Sequence, residues 1–348
     1  MTLAARTDAD GGQKKRRVWL RGILPALLLA FPTVPAVAFA AAPSQDAEIA
    51  QLQQLRAADT RLFGIFWRLG SRNAALCEGA VPAIGALLQA RSSYDGDFAE
   101  AAQRYFSFES ELSVEVVAPD GPADRAGLRP NDSIVAIGGR PLPDVRGPEA
   151  VAAAQRALVE AGTRGPIELT VLRGGERKRI TISPLKTCSG RVELMVSADR
   201  VASTDGDVVQ ISSGLFNIVP ADAELAAVIA HEYSHLILRH PQRLTDAGVD
   251  RGLLAMFGKN RRLIRRTEAE ADRLSVYLLL NAGYDPMAAG RFWRNAGRKI
   301  DAGFLSDGTH MGWRKRAELL DAEAERARAA TGNPVIPDLL KTRDTPLE

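Results

Sequence analysis

Residues 225–238 read "LAAVIAHEYSHLIL", fourteen positions with a single full charge, Glu232. A run this apolar all round belongs to a helix inside a core, and Asp222 stands where it can cap that helix. A buried, unpaired carboxylate is costly, and a metal-bound water would give Glu232 a partner. Three of the chain's four histidines, His231, His235 and His240, fall in this run or just beyond it. His231 and His235 are four apart, so both imidazoles share one helical face and reach one cation. With Glu232 directly after the first, this is the HExxH pattern, in which two histidines bind zinc and the glutamate acts as general base. His240 falls about 140° around a continued helix. It reads as the flank of the helix end, with Pro241 closing it.

A catalytic zinc site needs a third protein ligand and an open position. The downstream stretch "EAEADRLSVYLLLNAGYDP" predicts a second helix on which Glu268 and Asp272 share a face and Glu270 points elsewhere. Glu268 is the candidate third ligand, and Asp272 the acceptor for the distal nitrogen of a ligand histidine. The competing reading is a solvated acidic face balanced by Arg265, Arg266 and Arg273.

The first forty residues form a separate unit. "QKKRRVWLRG" is a basic start, followed by "ILPALLLAFPTVPAVAFA" and the small-residue pattern Ala38-Phe39-Ala40. This is the form of a secretory signal cleaved after Ala40. Arg16-Arg17 also fits a twin-arginine signal, or ordinary charge at the start of one. Residues 22–45 carry no charge and could instead stay as an anchor, since about 20 apolar residues span a bilayer. Residues 1–40 hold six basic and two acidic side chains, so without them the net charge falls from +3 to −1. No nucleic-acid footprint remains. The expected location is the periplasm of a Gram-negative bacterium, with membrane contact only if residues 22–45 are retained. Two cysteines, Cys77 and Cys188, in an exported chain suggest one disulfide or two buried thiols.

Three segments follow. Residues 41–106 predict the N-terminal helical part of a catalytic domain, with Leu52, Leu55, Leu62, Phe63 and Phe66 at helical spacing. Residues 107–187 change to alternating β-branched strands, "LSVEVVAP", "DSIVAIGG", "IELTVLRGG" and "KRITISPL", with a helix near 147–161. Residues 188–330 open with the strand pair "RVELMVSADRVAS" and "DVVQISSGL" and continue as helices, and 331–348 read as a flexible tail.

Two resemblances follow from these residues. "VVAPDGPADRAGLRPNDSIVAIGGRPL" resembles a PDZ domain of the bacterial-protease type, with Asn131 where that family usually has glycine. This implies a C-terminal or extended peptide bound at a sheet edge, with the carboxylate loop just ahead of residues 112–117 near "FSFES", or a fold that has lost its ligand. "ELAAVIAHEYSHLILRH", "EAEADRLSVYLLLNAGYDP" and "THMGWRKR" together resemble the HtpX, BepA and Oma-type zinc metallopeptidases, gluzincin relatives of the CAAX prenyl proteases. The resemblance implies an α+β chain: a mainly helical zincin-type domain with a small edge sheet, carrying an inserted PDZ domain. It implies one Zn2+ on His231, His235 and Glu268, with Asp272 behind them and Glu232 as base. His310 would steady the transition state or block a latent site, and Tyr277 and Tyr284 are further candidates for the oxyanion. "DVVQISSGL" would be the edge along which a substrate lies. A Cys77–Cys188 disulfide would then clamp the two ends of the insert. The implied activity is an exported endopeptidase for envelope protein quality control, acting on proteins or peptides. The rival is a PDZ-based binding or chaperone-like protein with an inactive or structural metal site.

Overall fold

The computed structural model describes residues 45–249, 258–301 and 312–347. The signal segment and His310 lie outside these residues. In chain order the elements are α1 (Gln45–Arg72), β1 (Val81–Ala83), β2 (Ala86–Ala90), α2 (Gly96–Phe106), β3 (Leu112–Val117), α3 (Pro122–Arg125), β4 (Ser133–Ile137), β5 (Arg140–Pro141) and α4 (Gly147–Thr163). Then come β6 (Ile167–Arg173), β7 (Glu176–Ile182), β8 (Leu185–Thr187), β9 (Arg191–Met195), β10 (Ala202–Thr204), β11 (Val208–Ser212) and α5 (Ser213–Ile218). The rest is helical: α6 (Asp222–Ile237), α7 (His240–Asp246), α8 (Gly258–Asn281), α9 (Ala288–Asp301) and α10 (Trp313–Ala329). The fold is α+β, and no described helix is long and apolar enough to cross a membrane.

Two apolar cores organise the chain. In the larger, one face of α1 (Leu62, Ile65, Phe66, Leu69) packs with α6, α8, α9 and α10. The smaller belongs to a sheet of order β2-β3-β4-β6-β7, with β5 beside β4, covered by α4. Alternation buries Ile167, Leu169 and Val171 of β6 on one face, as a half-covered sheet requires. The N-terminal half of α1 reaches this second unit, where Leu52 meets Phe106 and Phe108. One helix is thus shared by both bodies.

The second unit begins earlier than residue 107. Residues 81–90 form β1 and β2, and β2 pairs with β3, so the expected helix ends at Arg72. The chain beyond it bends at Gly79, ahead of β1, and at Gly85, between β1 and β2, both with positive φ. The outer strands of this sheet are β2 and β7, and the one beside α4 is β2, while β3 lies inside between β2 and β4. A peptide-carboxylate loop near "FSFES" would serve an interior strand; the loop ahead of β2 is Ile84-Gly85, which rests on Trp67 of α1.

Cys77 and Cys188 are joined, with Cα atoms 5.4 Å apart and a sequence separation of 111. The bond closes the base of the insert, beside the β1–β8 pair. Residues 331–347 are not a loose tail. Val335, Leu339 and Leu347 are buried, Asn281 binds Val335 through both its N–H and its C=O, and Arg343 donates to the Leu76 carbonyl. Apolar side chains spaced among the prolines were the signal for this docking.

Candidate metal centre and active-site cleft

α6 is buried along most of its length, but its cap is Ala221 rather than Asp222, whose carboxylate instead receives Arg61 at 2.7 Å. Tyr233, between the two histidines, is the anchor. Its ring stacks on Phe66 at 4.6 Å, and its hydroxyl donates to the Cys188 carbonyl at 2.8 Å. Gly70 of α1 makes room for it: a Cβ there would lie 2.9 Å from the Tyr233 hydroxyl. The helix is thereby fixed in rotation, and His231, Glu232 and His235 turn toward a cleft of about 490 Å³.

α8 crosses α6 and supplies the acids. Nε2 of His231 lies 3.2 Å from Glu268 Oε2, and Nε2 of His235 lies 3.5 Å from Glu268 Oε1. The two Nε2 atoms are 3.2 Å apart. One ligand atom each from His231, His235 and Glu268 falls within a 4.8 Å sphere of mutual distances. Two imidazole nitrogens and one carboxylate oxygen, converging from two rigid helices, are a donor set that fits zinc. Asp272 stands behind, with Oδ1 2.9 Å from His231 Nδ1. Arg316 of α10 grips Asp272 with Nε and Nη2, both at 2.6 Å, and lies flat over Trp293 at 4.1 Å.

The electrostatics agree with this arrangement. Burial lowers the pKa of His235 to about 3, leaving a neutral imidazole with a free lone pair, as a metal ligand requires. Burial also opposes the charge on His231, but hydrogen bonds to Asp272 and Glu268 outweigh it and raise the pKa to about 10. The acids around that ring are arranged to hold positive charge, which a cation supplies as well as protons do. Burial disfavours the Asp272 carboxylate, yet Arg316 and His231 hold its pKa below the ordinary range.

His240 departs from the sequence expectation. α6 ends at Ile237, and Arg239 takes a left-handed conformation, φ 56°, so α7 starts in a new direction. That turn folds His240 back into the core, fully buried, with Nδ1 3.0 Å from His235 Nδ1. Glu270 points away from Glu268 and Asp272, as expected, and there it meets His240 Nε2 at 3.2 Å and accepts from Arg243 and Arg266, both at 2.9 Å. A concentration of scarce histidines was the available signal. Tyr277 and Tyr284 do not face the cleft chemistry: Tyr277 donates to Glu323, and Tyr284 lies under Arg68.

The substrate edge also differs from expectation. The three-stranded sheet has the order β10-β11-β9, with β11 parallel to β9 and antiparallel to β10. "DVVQISSGL" is therefore the central strand, and the outer strand along the cleft is β10, whose Ala202, Ser203 and Thr204 line it. Leu215, Phe292 and Trp293 add apolar wall.

Residues 113–173 match the family model of the PDZ domain, and residues 201–259 match that of Peptidase family M48. The second match takes in β10 and HEYSH and ends ahead of Glu268. The chain is 29% identical over 134 residues to the mitochondrial metalloendopeptidase OMA1 of Arabidopsis thaliana, over 32% of this chain and 27% of that protein. It is 30% identical over 148 residues to the magnetosome formation protease MamE of Paramagnetospirillum magneticum, over 42% of this chain and 19% of that protein. To the putative serine protease HhoA of a Synechocystis species it is 39% identical over 71 residues, covering 20% and 16%. The matched stretches thus span at most 27% of these relatives' lengths.

Proposed function

The chain carries a PDZ domain together with a metallopeptidase domain of family M48, and from that premise we propose an exported zinc endopeptidase of envelope protein quality control whose PDZ domain selects or gates substrates. The observation that carries the reading is the convergence of His231, His235 and Glu268 in one cleft with Glu232, beside the outer strand β10.

A substrate segment lies extended along β10, adding a strand whose main-chain hydrogen bonds present the scissile carbonyl to the metal centre. His231, His235 and Glu268 would hold one zinc ion, whose contribution when bound would be acidification of water and polarisation of a carbonyl. Glu232 takes the proton of the attacking water and delivers it to the departing amine. Asp272, locked by Arg316, keeps the proton of His231 on Nδ1 so that Nε2 stays a ligand. The apolar wall of Leu215, Phe292 and Trp293 excludes water from the reacting atoms and favours an apolar side chain next to the scissile bond. The basic and apolar start of the chain and the Cys77–Cys188 disulfide support export to an oxidising compartment.

The test is zinc content of the purified chain together with cleavage of casein. The expected result is one zinc per chain and cleavage that falls by about 10²–10⁴-fold in Glu232→Gln with zinc retained. Casein left intact by zinc-loaded wild type, with peptide still captured by the PDZ domain, would overturn the peptidase reading in favour of a binding protein.

A further inference from the structure

Two carboxylates stand behind the two candidate ligand histidines, and they reach them differently. His231 leans directly on Asp272, which Arg316 holds. His235 leans on another imidazole, that of His240, and His240 leans on Glu270, which Arg243 and Arg266 hold. We propose that His240 is a positioning residue for the metal centre: a buried neutral imidazole that fixes the tautomer of His235 and relays to it the charge of Glu270. The inference rests on the metal reading of His231, His235 and Glu268.

Counting protons along the line His235–His240–Glu270 leaves one arrangement. Nε2 of His235 points at the donor cluster, so its lone pair must be free and its proton must sit on Nδ1. Among the described residues that proton's partner at hydrogen-bonding distance is Nδ1 of His240 at 3.0 Å, which must therefore accept. The proton of His240 is then on Nε2, where it is donated to Glu270 Oε2 at 3.2 Å. Reversing the sequence would turn the His240 Nε2 lone pair against a carboxylate and place the His235 proton on the atom that faces the metal. Glu270 keeps its negative charge because two guanidinium groups also donate to it. With two nitrogens each matched to one partner and no exposure to solvent, the His240 ring is over-determined in both orientation and tautomer. The left-handed Arg239 makes the contact possible, since an unbroken helix would carry residue 240 away from residue 235.

The consequence is an unequal pair of ligands. His231 has a full carboxylate on its distal nitrogen, whereas His235 receives the same kind of support through a neutral ring. The arrangement fixes both rings but pushes less charge onto the metal than two direct carboxylates would.

The experiment uses the full purified chain and three variants: His240→Ala, Glu270→Gln and, as a control for lost packing, Leu339→Ala. Zinc affinity is measured by competition with a chelator, the cobalt(II)-substituted protein is followed by its visible absorption, and Tm is recorded without metal. The expected result is a zinc affinity about 10–100-fold weaker in His240→Ala, a smaller loss in Glu270→Gln, and a shifted cobalt band in both. Leu339→Ala lowers Tm while leaving affinity and spectrum as in wild type. Wild-type affinity and an unshifted cobalt band in folded His240→Ala would overturn the proposal. If His240→Ala does not fold, Glu270→Gln decides, since it preserves shape and removes charge; unchanged affinity and spectrum there would also overturn it. A wild-type chain that takes up no zinc would instead remove the metal reading beneath it.

Discussion

Asp59 of α1 and Glu115 of β3 face each other across the junction of the two cores, both buried. Asp59 Oδ2 and Glu115 Oε2 have no donor, although the carboxyls are within hydrogen-bonding reach. Arg56 passes alongside but donates to the Glu115 backbone carbonyl and to Asn131. A proton on Asp59 lets it donate to the Glu115 carboxylate. Burial, reinforced by repulsion from Glu115 and more weakly from Glu193, raises the pKa of Asp59 from 3.8 to about 8. The folded chain therefore keeps a proton that the unfolded chain releases above pH 4. The stability this proton confers is fully present below about pH 4 and is lost as pH rises toward 8, by up to ~1.4 kcal/mol per pH unit. The loss over that window is of the order of a few kcal/mol. Asp59→Asn removes the requirement, because the amide donates to Glu115 without needing a proton. Urea unfolding of both proteins at pH 5, 6, 7 and 8 reads the effect, with hydrogen exchange over residues 112–117 locating it. The variant should gain on wild type with each unit of pH and surpass it above neutrality. Parallel pH profiles for the two proteins would refute the shared proton.

Cys77→Ser with Cys188→Ser should cost about 4–5 kcal/mol, the chain-entropy value for a loop of this length. Thermal unfolding with and without reductant checks it, since the double variant should lose all sensitivity to reductant. Gly70→Ala should destabilise by about 1–3 kcal/mol, because its Cβ would lie 2.6 Å from Thr187 Oγ1 as well as against Tyr233. In that variant the displaced Tyr233 should also weaken zinc binding, which chelator competition detects. Asp272→Asn leaves His231 with a neutral partner and should reduce zinc affinity about 10–100-fold, with far-UV circular dichroism unchanged.

How far this architecture could be read ahead depends on how local its causes are. The spacing of His231, His235, Glu268 and Asp272 is helical bookkeeping, and helices α6 and α8 preserve it. His240 escaped because one left-handed residue, Arg239, redirects the chain, and nothing in its side chain announces that conformation. β2 escaped because "ALLQA" is short and apolar, a pattern that helix and strand share; only the glycines at 79 and 85 argued for a break. The misplaced substrate edge has a different origin. Both strands were visible, but their order in the sheet is set by which partner buries β11, and no local pattern encodes that. The tail was misread because its prolines suggested looseness, whereas Val335 and Leu339 find pockets supplied by distant helices.

α1 lies in the larger core and its N-terminal half packs on α2 and β3 of the insert, and the disulfide ties the far end of the insert to the same neighbourhood. A domain held this way cannot sweep through space as one on a flexible tether does, so its peptide edge stays at a nearly constant separation from the cleft. On the proposed function, a client gripped at β2 would meet Glu232 at a local concentration set by the client's own slack. Clients too short to bridge the gap would be held without being presented, and those with a long unfolded run would reach across. On that reading the insert would act as a ruler for how much of its client is unfolded.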